Sequence, residues 1–557
     1  MLLIRRLCVA SLGLAIAGCF SEVPAVPEDD PMGSTTAGVA STGVASGETP
    51  SSSGVADADD TGEPEPASSS STSSGGIEVT GTSSGHSSSD GAETSTGGCL
   101  EGTLGCSCAD GECTEGICLE GVCAAANCGN GLVEGSEACD DGNRTAQDGC
   151  EADCSVSTGV AEIASGDQHS CARFHDGRLR CWGNNTHGQL GYGNLEAVGD
   201  DETPAEVGDV PIGASVIDVA CGREHTCVVL EGGAVRCWGF NNRGQLGIPA
   251  PTYTLGEDIG DEPDEVPEFL DDTNVGGVAV AVTATSWTTF VLLDDGTVRC
   301  FGQNAGFGTC GYGTDVFAIG DNEPPAFVGP IDLGGTAVSI DGHGDHACAV
   351  LEDGTVRCWG FNELGALGLG NTDVVGDDED PSSVPALTFD APAVEVQTGL
   401  RHTCVRLETG VVKCWGRNTL GELGLGHVDP VTTAADGAPL SLGGAVADLA
   451  VGGGHACALL ESGDVRCWGD AGLGRLGYGN ASNDVGDDEL PSSQPVLPLS
   501  VGQVHAVETG NSFSCALVDA GEVLCWGANT GGQIAQPGVD YFGNDETLEG
   551  LPPIELE

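Results

Sequence analysis

Three residue types recur in this 557-residue chain at spacings that could do chemistry: paired thiols, strings of carboxylates and single imidazoles. Cysteines stand ten residues apart at Cys171/Cys181, Cys227/Cys237, Cys348/Cys358, Cys404/Cys414, Cys457/Cys467 and Cys515/Cys525, and a seventh copy has Phe290 before Cys300. The acidic strings are Gly199-Asp200-Asp201-Glu202, Gly320-Asp321-Asn322-Glu323, Gly376-Asp377-Asp378-Glu379 and Gly486-Asp487-Asp488-Glu489. Looser versions run Gly260-Asp261-Glu262 and Gly543-Asn544-Asp545-Glu546, and only the repeat containing Trp415 lacks one. Hard oxygen donors so close together suit calcium or a basic protein surface; the alternative is a solvated turn. Gly-x-x-His recurs at Gly166/His169, Gly222/His225, Gly399/His402 and Gly452/His455, with an altered version ending at His346 and with Thr288 and Phe513 in the other two copies. A ring of imidazoles could bind a metal or pass protons; the alternative is that each satisfies a tight turn.

The elements that place these groups follow from the spacing. First cysteine positions, counting Phe290, lie 53 to 63 residues apart, a period that belongs to a repeat array. Between the cysteines the text reads strand, three loop residues ending in Gly177, Gly233, Gly296, Gly354, Gly410, Gly463 or Gly521, then strand. A type I turn closed by a left-handed glycine makes a three-residue hairpin with a G1 bulge. Counting back, Phe174 faces Arg178 and Cys171 faces Cys181; likewise Leu230 faces Ala234 and Cys227 faces Cys237. Facing Cα atoms lie about 4.5–5.5 Å apart, which a disulfide can span. Six cross-strand disulfides are predicted. In the third copy Cys300 loses its partner, and Cys310, found in that repeat alone, offers a replacement. Cys221 is then left over, with burial as a small hydrophobe its expected fate. Each acidic string follows the same strand, so all should emerge on one face as a ring of carboxylates.

Composition limits the function. Seventeen basic against 85 acidic side chains give a formal charge of −68, with no Lys or Arg between Arg6 and Arg144. A nucleic-acid partner needs a basic footprint and is excluded on that ground. Residues 1–19 read as a signal peptide, with Arg5, Arg6 and an apolar run ending Ile16-Ala17-Gly18-Cys19. That ending resembles a bacterial lipobox, which implies cleavage before Cys19 and acylation of its thiol; Phe20 after it, rather than Asp, favours outer-membrane sorting by resemblance to enterobacterial rules, and exposure at the cell surface is expected. Residues 20–98 are Ser, Thr, Gly, Pro and acid, a composition expected to stay disordered as a stalk. Residues 99–154 carry ten cysteines in a stretch too short for a sizeable core, hence a disulfide-stapled module. Its second half, Cys128-Gly-Asn-Gly through Cys139-Asp-Asp-Gly-Asn143 to Cys154, resembles the myxococcal cysteine-rich repeat. Asp140, Asp141, Asn143 and Asp148 are candidate calcium ligands there, against Asx-turn chemistry between disulfides.

After the second cysteine come Trp182-Gly183-Asn184-Asn185 with Gly188-Gln-Leu-Gly191, and Trp238-Gly239 with Gly244-Gln-Leu-Gly247. Later copies read Gly365-Ala-Leu-Gly368, Gly421-Glu-Leu-Gly424, Gly474-Arg-Leu-Gly477 and Gly532-Gln-Ile-Ala535. With the Gly-x-x-His turns, these resemble the repeats of the regulator of chromosome condensation family over nearly all of residues 160–557. The resemblance implies an all-β, seven-bladed β-propeller for residues 155–557, one blade per repeat, with the tryptophans, and Phe301 in place of one, as core between blades. The family's nucleotide exchange on a nuclear GTPase is not implied for an exported acidic chain. No catalytic constellation stands out, so a non-enzyme is expected: a monomeric, lipid-anchored, surface-displayed module binding a protein or glycan, with calcium as the one cofactor considered. The alternatives are an inhibitor of a secreted or periplasmic enzyme, as the family's β-lactamase inhibitory protein implies, and a polysaccharide-active enzyme.

Overall fold

The structure is a computed structural model that describes residues 117–119, 122–124, 150 and 157–557, apart from 250–257, 315 and 500–501. The signal peptide with Cys19, the linker 20–98 and the candidate calcium ligands Asp140, Asp141, Asn143 and Asp148 lie outside the described residues. Of the cysteine-rich module it describes one short hairpin, Ile117–Leu119 against Val122–Ala124, and the buried Cys150.

Seven antiparallel sheets follow, one per repeat. Blade one is built from the strands Val160–Ser165, His169–Phe174 and Leu179–Gly183. Its successors have the middle strands His225–Leu230, Thr288–Leu293, His346–Leu351, His402–Leu407, His455–Leu460 and Phe513–Val518. The first strand of each blade packs against those of its neighbours around the axis, where they enclose a cavity of about 200 Å³. A fourth rung completes each sheet at its outer edge: Gly183 pairs with Val198, Gly239 with Ile259, Gly302 with Ile319, Gly360 with Val375, Gly416 with Val431, Gly469 with Val485 and Gly527 with Phe542.

The hairpin geometry follows the loop length. Phe174 N–H donates to the Arg178 carbonyl at 2.9 Å, Gly177 N–H to the Phe174 carbonyl at 3.0 Å, and Gly177 sits at φ +84°. The register then sets Cys171 opposite Cys181 and Cys227 opposite Cys237. In the later blades it sets Cys348 opposite Cys358, Cys404 opposite Cys414, Cys457 opposite Cys467 and Cys515 opposite Cys525. All six of these pairs are bonded, with Cα atoms 4.0–4.1 Å apart. That is closer than the unbridged spacing on which the expectation was based. The second cysteines Cys358, Cys414, Cys467 and Cys525 are buried with their partners, so these bridges are parts of the core and offer no thiol or surface to a ligand. In blade three Phe290 faces Cys300 and fills the vacated place at 0% exposure, while Cys300 bonds Cys310 at a Cα separation of 5.3 Å. Cys221 lies outside these seven bridges and is buried.

Blades are joined by recurring parts. At five junctions the hairpin glycine carbonyl of one blade accepts the N–H that opens the next blade's inner strand, as in Val216 to Gly177 at 2.9 Å and Ala393 to Gly354 at 3.0 Å. Trp182, Trp238, Trp359, Trp415, Trp468 and Trp526 are at 0% exposure in the seams, with Phe301 in the remaining one. Truncating an aromatic packed this fully costs about 3–5 kcal/mol. The ring closes without exchanging a strand. Trp182 donates to the Gln533 carbonyl of blade seven at 3.1 Å, Ala205 N–H to Glu555 at 3.0 Å, and Ile554 N–H to Val523 at 2.8 Å.

Candidate binding face and acidic loops

The histidines form clamps between blades. His169 Nε2 lies 2.9 Å from Thr226 Oγ1 of blade two, and Thr226 donates to the Gln189 carbonyl at 2.7 Å, which also accepts Trp238 Nε1 at 2.9 Å. Because the hydroxyl hydrogen goes to the carbonyl, the imidazole must donate through Nε2. The unit repeats at His225–Thr289–Gln245, His346–Thr403–Ala366 and His455–Ser514–Arg475. Where Thr288 replaces the histidine, the next blade has Ala347 in place of the hydroxyl; where Phe513 replaces it, Ser170 turns to Ser165 at 3.2 Å. His402 is the exception: it faces Ala456, and among the described residues neither ring nitrogen has a partner. Burial pushes the His169, His225 and His346 imidazoles down to about 3, and His402 and His455 well below the usual histidine range. These rings are neutral, and four hold the neighbouring blade through Nε2.

The acidic strings begin one residue past the fourth rung, at the sheet end that carries the Gly-x-x-His turns. Gly199 is at φ +98°, and a Cβ there would meet the Gly532 carbonyl oxygen of blade seven at 2.6 Å; Gly376 would meet that of Gly308 at 2.5 Å, and Gly486 that of Gly421 at 2.7 Å. Each glycine thus lets the loop lie on the preceding blade's turn. The first acid accepts the N–H of the second, at 3.0 Å for Asp200, 3.0 Å for Asp377 and 2.8 Å for Asp487. In those three loops the carboxylate oxygens of Asp200/Asp201/Glu202, Asp377/Asp378/Glu379 and Asp487/Asp488/Glu489 converge within 4.8 Å. Partial burial, then the hydrogen bond from the neighbouring Asp, raises Glu202, Glu379 and Glu489 to about 7. Glu323 is raised by burial and by Asp321. In blade two the glutamate in this role is Glu265 rather than Glu262: it accepts Gly260 N–H at 3.3 Å and is raised to about 7. The insertion there hid the equivalence.

The same end of the ring carries an arc of arginines and aromatics that the repeat pattern does not require. The His187 ring lies 4.4 Å from that of Phe240, tilted by 46°, and Phe240 lies 5.9 Å from Trp287. Arg223 lies 4.8 Å over Trp287, Arg243 6.0 Å from it and 5.3 Å from Phe317, and Arg401 4.6 Å over Phe361. One signal could have found it: seven tryptophans for seven repeats, of which Trp287 alone does not follow a cysteine.

Comparison with known proteins accounts for this architecture. The model of the RCC1-like domain matches residues 193–550 and that of the regulator of chromosome condensation (RCC1) repeat matches residues 160–189. The chain belongs to the RCC1-like propeller family. Its relatives include the ultraviolet-B receptor UVR8 of Arabidopsis thaliana, 32% identical over 48% of this chain and 55% of the relative. The mitochondrial RCC1 domain-containing protein RUG3 of the same plant is 27% identical over 65% of this chain and 80% of the relative. The human probable E3 ubiquitin-protein ligase HERC4 is 30% identical over 68% and 34%. The chain therefore spans about half the length of UVR8 and a third of HERC4. Human WBSCR16 superposes with a TM-score of 0.51 at 22% identity, over 67% of this chain and 96% of that one. Yeast RCC1 (Prp20), solved bound to Kap60, gives 0.53 at 20%, over 72% and 85%. These structures carry the fold alone.

Proposed function

We propose that this chain is an exported, lipid-anchored propeller that binds a protein partner and performs no catalysis. The observation that carries the reading is one buried disulfide in every blade, since such bonds persist where thiols are not kept reduced. Acylation at Cys19, the linker 20–98 as a stalk and display at the outer surface complete it. The chemistry of the ring favours binding over turnover: the histidines are neutral, and the acidic loops direct oxygens at their own backbone. An inhibitor of a secreted enzyme is one form of this function, and a polysaccharide-active enzyme is not supported. Three convergent carboxylate triads favour a second element, calcium held at the loops.

Cys19→Ser should abolish fatty-acid labelling and release the chain, and protease added to intact cells should remove the propeller. A propeller that survives that treatment in intact cells contradicts display. Melting of the full chain with and without chelator tests calcium: a midpoint unchanged across millimolar calcium removes the metal from the reading.

A further inference from the structure

The seventh tryptophan marks a site that the repeat does not explain. The six tryptophans in the seams are fully buried, whereas Trp287, in the turn before Thr288, is partly exposed. Arg243 stands beside it at a turn position where the other blades have His187, Phe307, Leu364, Leu420, Leu473 and Gly531. In a chain with 85 acidic and 17 basic side chains, Arg243 has no carboxylate within 4.0 Å among the described residues, and its buried Nε has no partner. Arg401, Arg417 and Arg475 on the same face each hold a carboxylate at 2.7–3.1 Å. Arg223 reaches Glu224 and Asp167 only at 3.6 and 3.9 Å, with 47% of its side chain exposed. Both of these guanidinium groups lie on rings instead.

We propose that this cluster docks an acidic peptide segment of a partner protein, which places carboxylates on Arg223 and Arg243 and an apolar side chain on Phe317. The inference rests on the protein-binding reading above and names where and what it binds. A guanidinium laid on an aromatic face is oriented but keeps its N–H edge free, which is the geometry that takes a carboxylate two-pronged. The choice of a peptide follows from charge. A net −68 repels every anion, so a lone carboxylate or phosphate gains little, and the bound group must also cover apolar surface. Val316 and Phe317, 45% and 54% exposed, supply that surface beside Arg243.

Because Trp287 is the one tryptophan that solvent reaches, its emission reports the site in the intact oxidised chain. Titration with a short peptide alternating Glu and Leu should protect Trp287 from acrylamide quenching; matched Gln/Leu and Lys/Leu peptides, an oligouronate and inorganic phosphate should not. Arg243→Gln and Arg223→Gln should each weaken binding about tenfold, the loss of one charge-assisted hydrogen bond. Arg243→Lys, which keeps charge but not the fork, should also weaken it. Equal protection by the Gln/Leu peptide, protection by oligouronate or phosphate, or arginine variants that bind as tightly as the parent overturns the proposal. Should a protein partner be captured whose affinity is indifferent to Arg223→Gln and Arg243→Gln, this site fails while the protein-binding reading stands.

Discussion

The unpartnered His402 offers a repair that the other blades specify in advance. Ala456 occupies the place where Thr226, Thr289, Thr403 and Ser514 supply a hydroxyl, and the Glu422 carbonyl that would accept from it already receives Trp468 Nε1 at 3.0 Å. Ala456→Ser adds one oxygen in the geometry that Ser514 shows with His455 at 2.9 Å and the Arg475 carbonyl at 2.9 Å. Two new buried hydrogen bonds are worth about 1 kcal/mol each, part of which is offset by desolvating the hydroxyl. The expected gain is about 1–2 kcal/mol. With an unfolding entropy of roughly 2 cal/mol/K per residue over roughly 400 residues, that is a rise in Tm of only about 1–2 °C, so urea midpoints are the better assay.

A cycle isolates the interaction. His402→Phe copies the native Phe513 and removes an unsatisfied polar group, so it should be near neutral alone but cost about 1–2 kcal/mol in the Ala456→Ser background. Conversely, Thr403→Ala should orphan His346 and cost about 1–3 kcal/mol. If the coupling between positions 402 and 456 lies within about 0.3 kcal/mol of zero, the imidazole–hydroxyl clamp is not what joins these blades.

Four further outcomes rest on the same structure. The five buried histidines have folded pKa values below the unfolded value of about 6.5, so the stability they confer is full above that pH and is lost as pH falls, toward about 3 for His169, His225 and His346. Each contributes a loss approaching about 1.4 kcal/mol per pH unit in that window. The raised glutamates Glu202, Glu265, Glu379 and Glu489 act oppositely, losing stability as pH rises from about 4.5 through about 7, but their exposure screens them. Urea midpoints should therefore peak near pH 6, and a steady rise down to pH 4 would show that the histidines are not buried as neutral rings. Glu422, at 0% exposure, is held by Arg417 Nε at 2.7 Å where other blades have Gln189 and Gln245. Arg417→Ala should cost about 2–4 kcal/mol and adding Glu422→Gln should recover most of it; no recovery means the loss was packing. Replacing Cys171 and Cys181 together by Ala should lower stability by about 2–3 kcal/mol, the entropy of closing a loop of about ten residues. Non-reduced peptide mapping should return Cys300–Cys310 with the six hairpin pairs, and links between blades, such as Cys358 to Cys414 or Cys467 to Cys525, would refute the register.

What was legible in the sequence, and what was not, divides by the distance over which a residue acts. The cysteine pairs were readable because both partners sit on one hairpin, where a three-residue loop fixes the register by itself. The seven blades were readable from the period and from the Cys-Trp-Gly column. The clamps were not, since His169 and Thr226 are in different repeats and each alone looks like turn or strand text. Their trace is a pairing between columns: Ala347 follows Thr288, so hydroxyl and imidazole vanish together in that seam. The acidic loops were placed at the right strand, yet their glycines proved to be the more constrained residues, pressed on the neighbouring turn at distances that admit no side chain. Trp287 is hard to read in the sequence for the opposite reason. A repeat template explains residues by what all copies share, and a binding residue is one that a single copy adds. Arg243 and Trp287 occur once each in their columns, contribute nothing that the other five or six seams need, and pack on each other rather than on carboxylates. In a propeller built from near-identical blades, such departures from the column are where selection for a ligand has room to act, because the scaffold is already held by the rest.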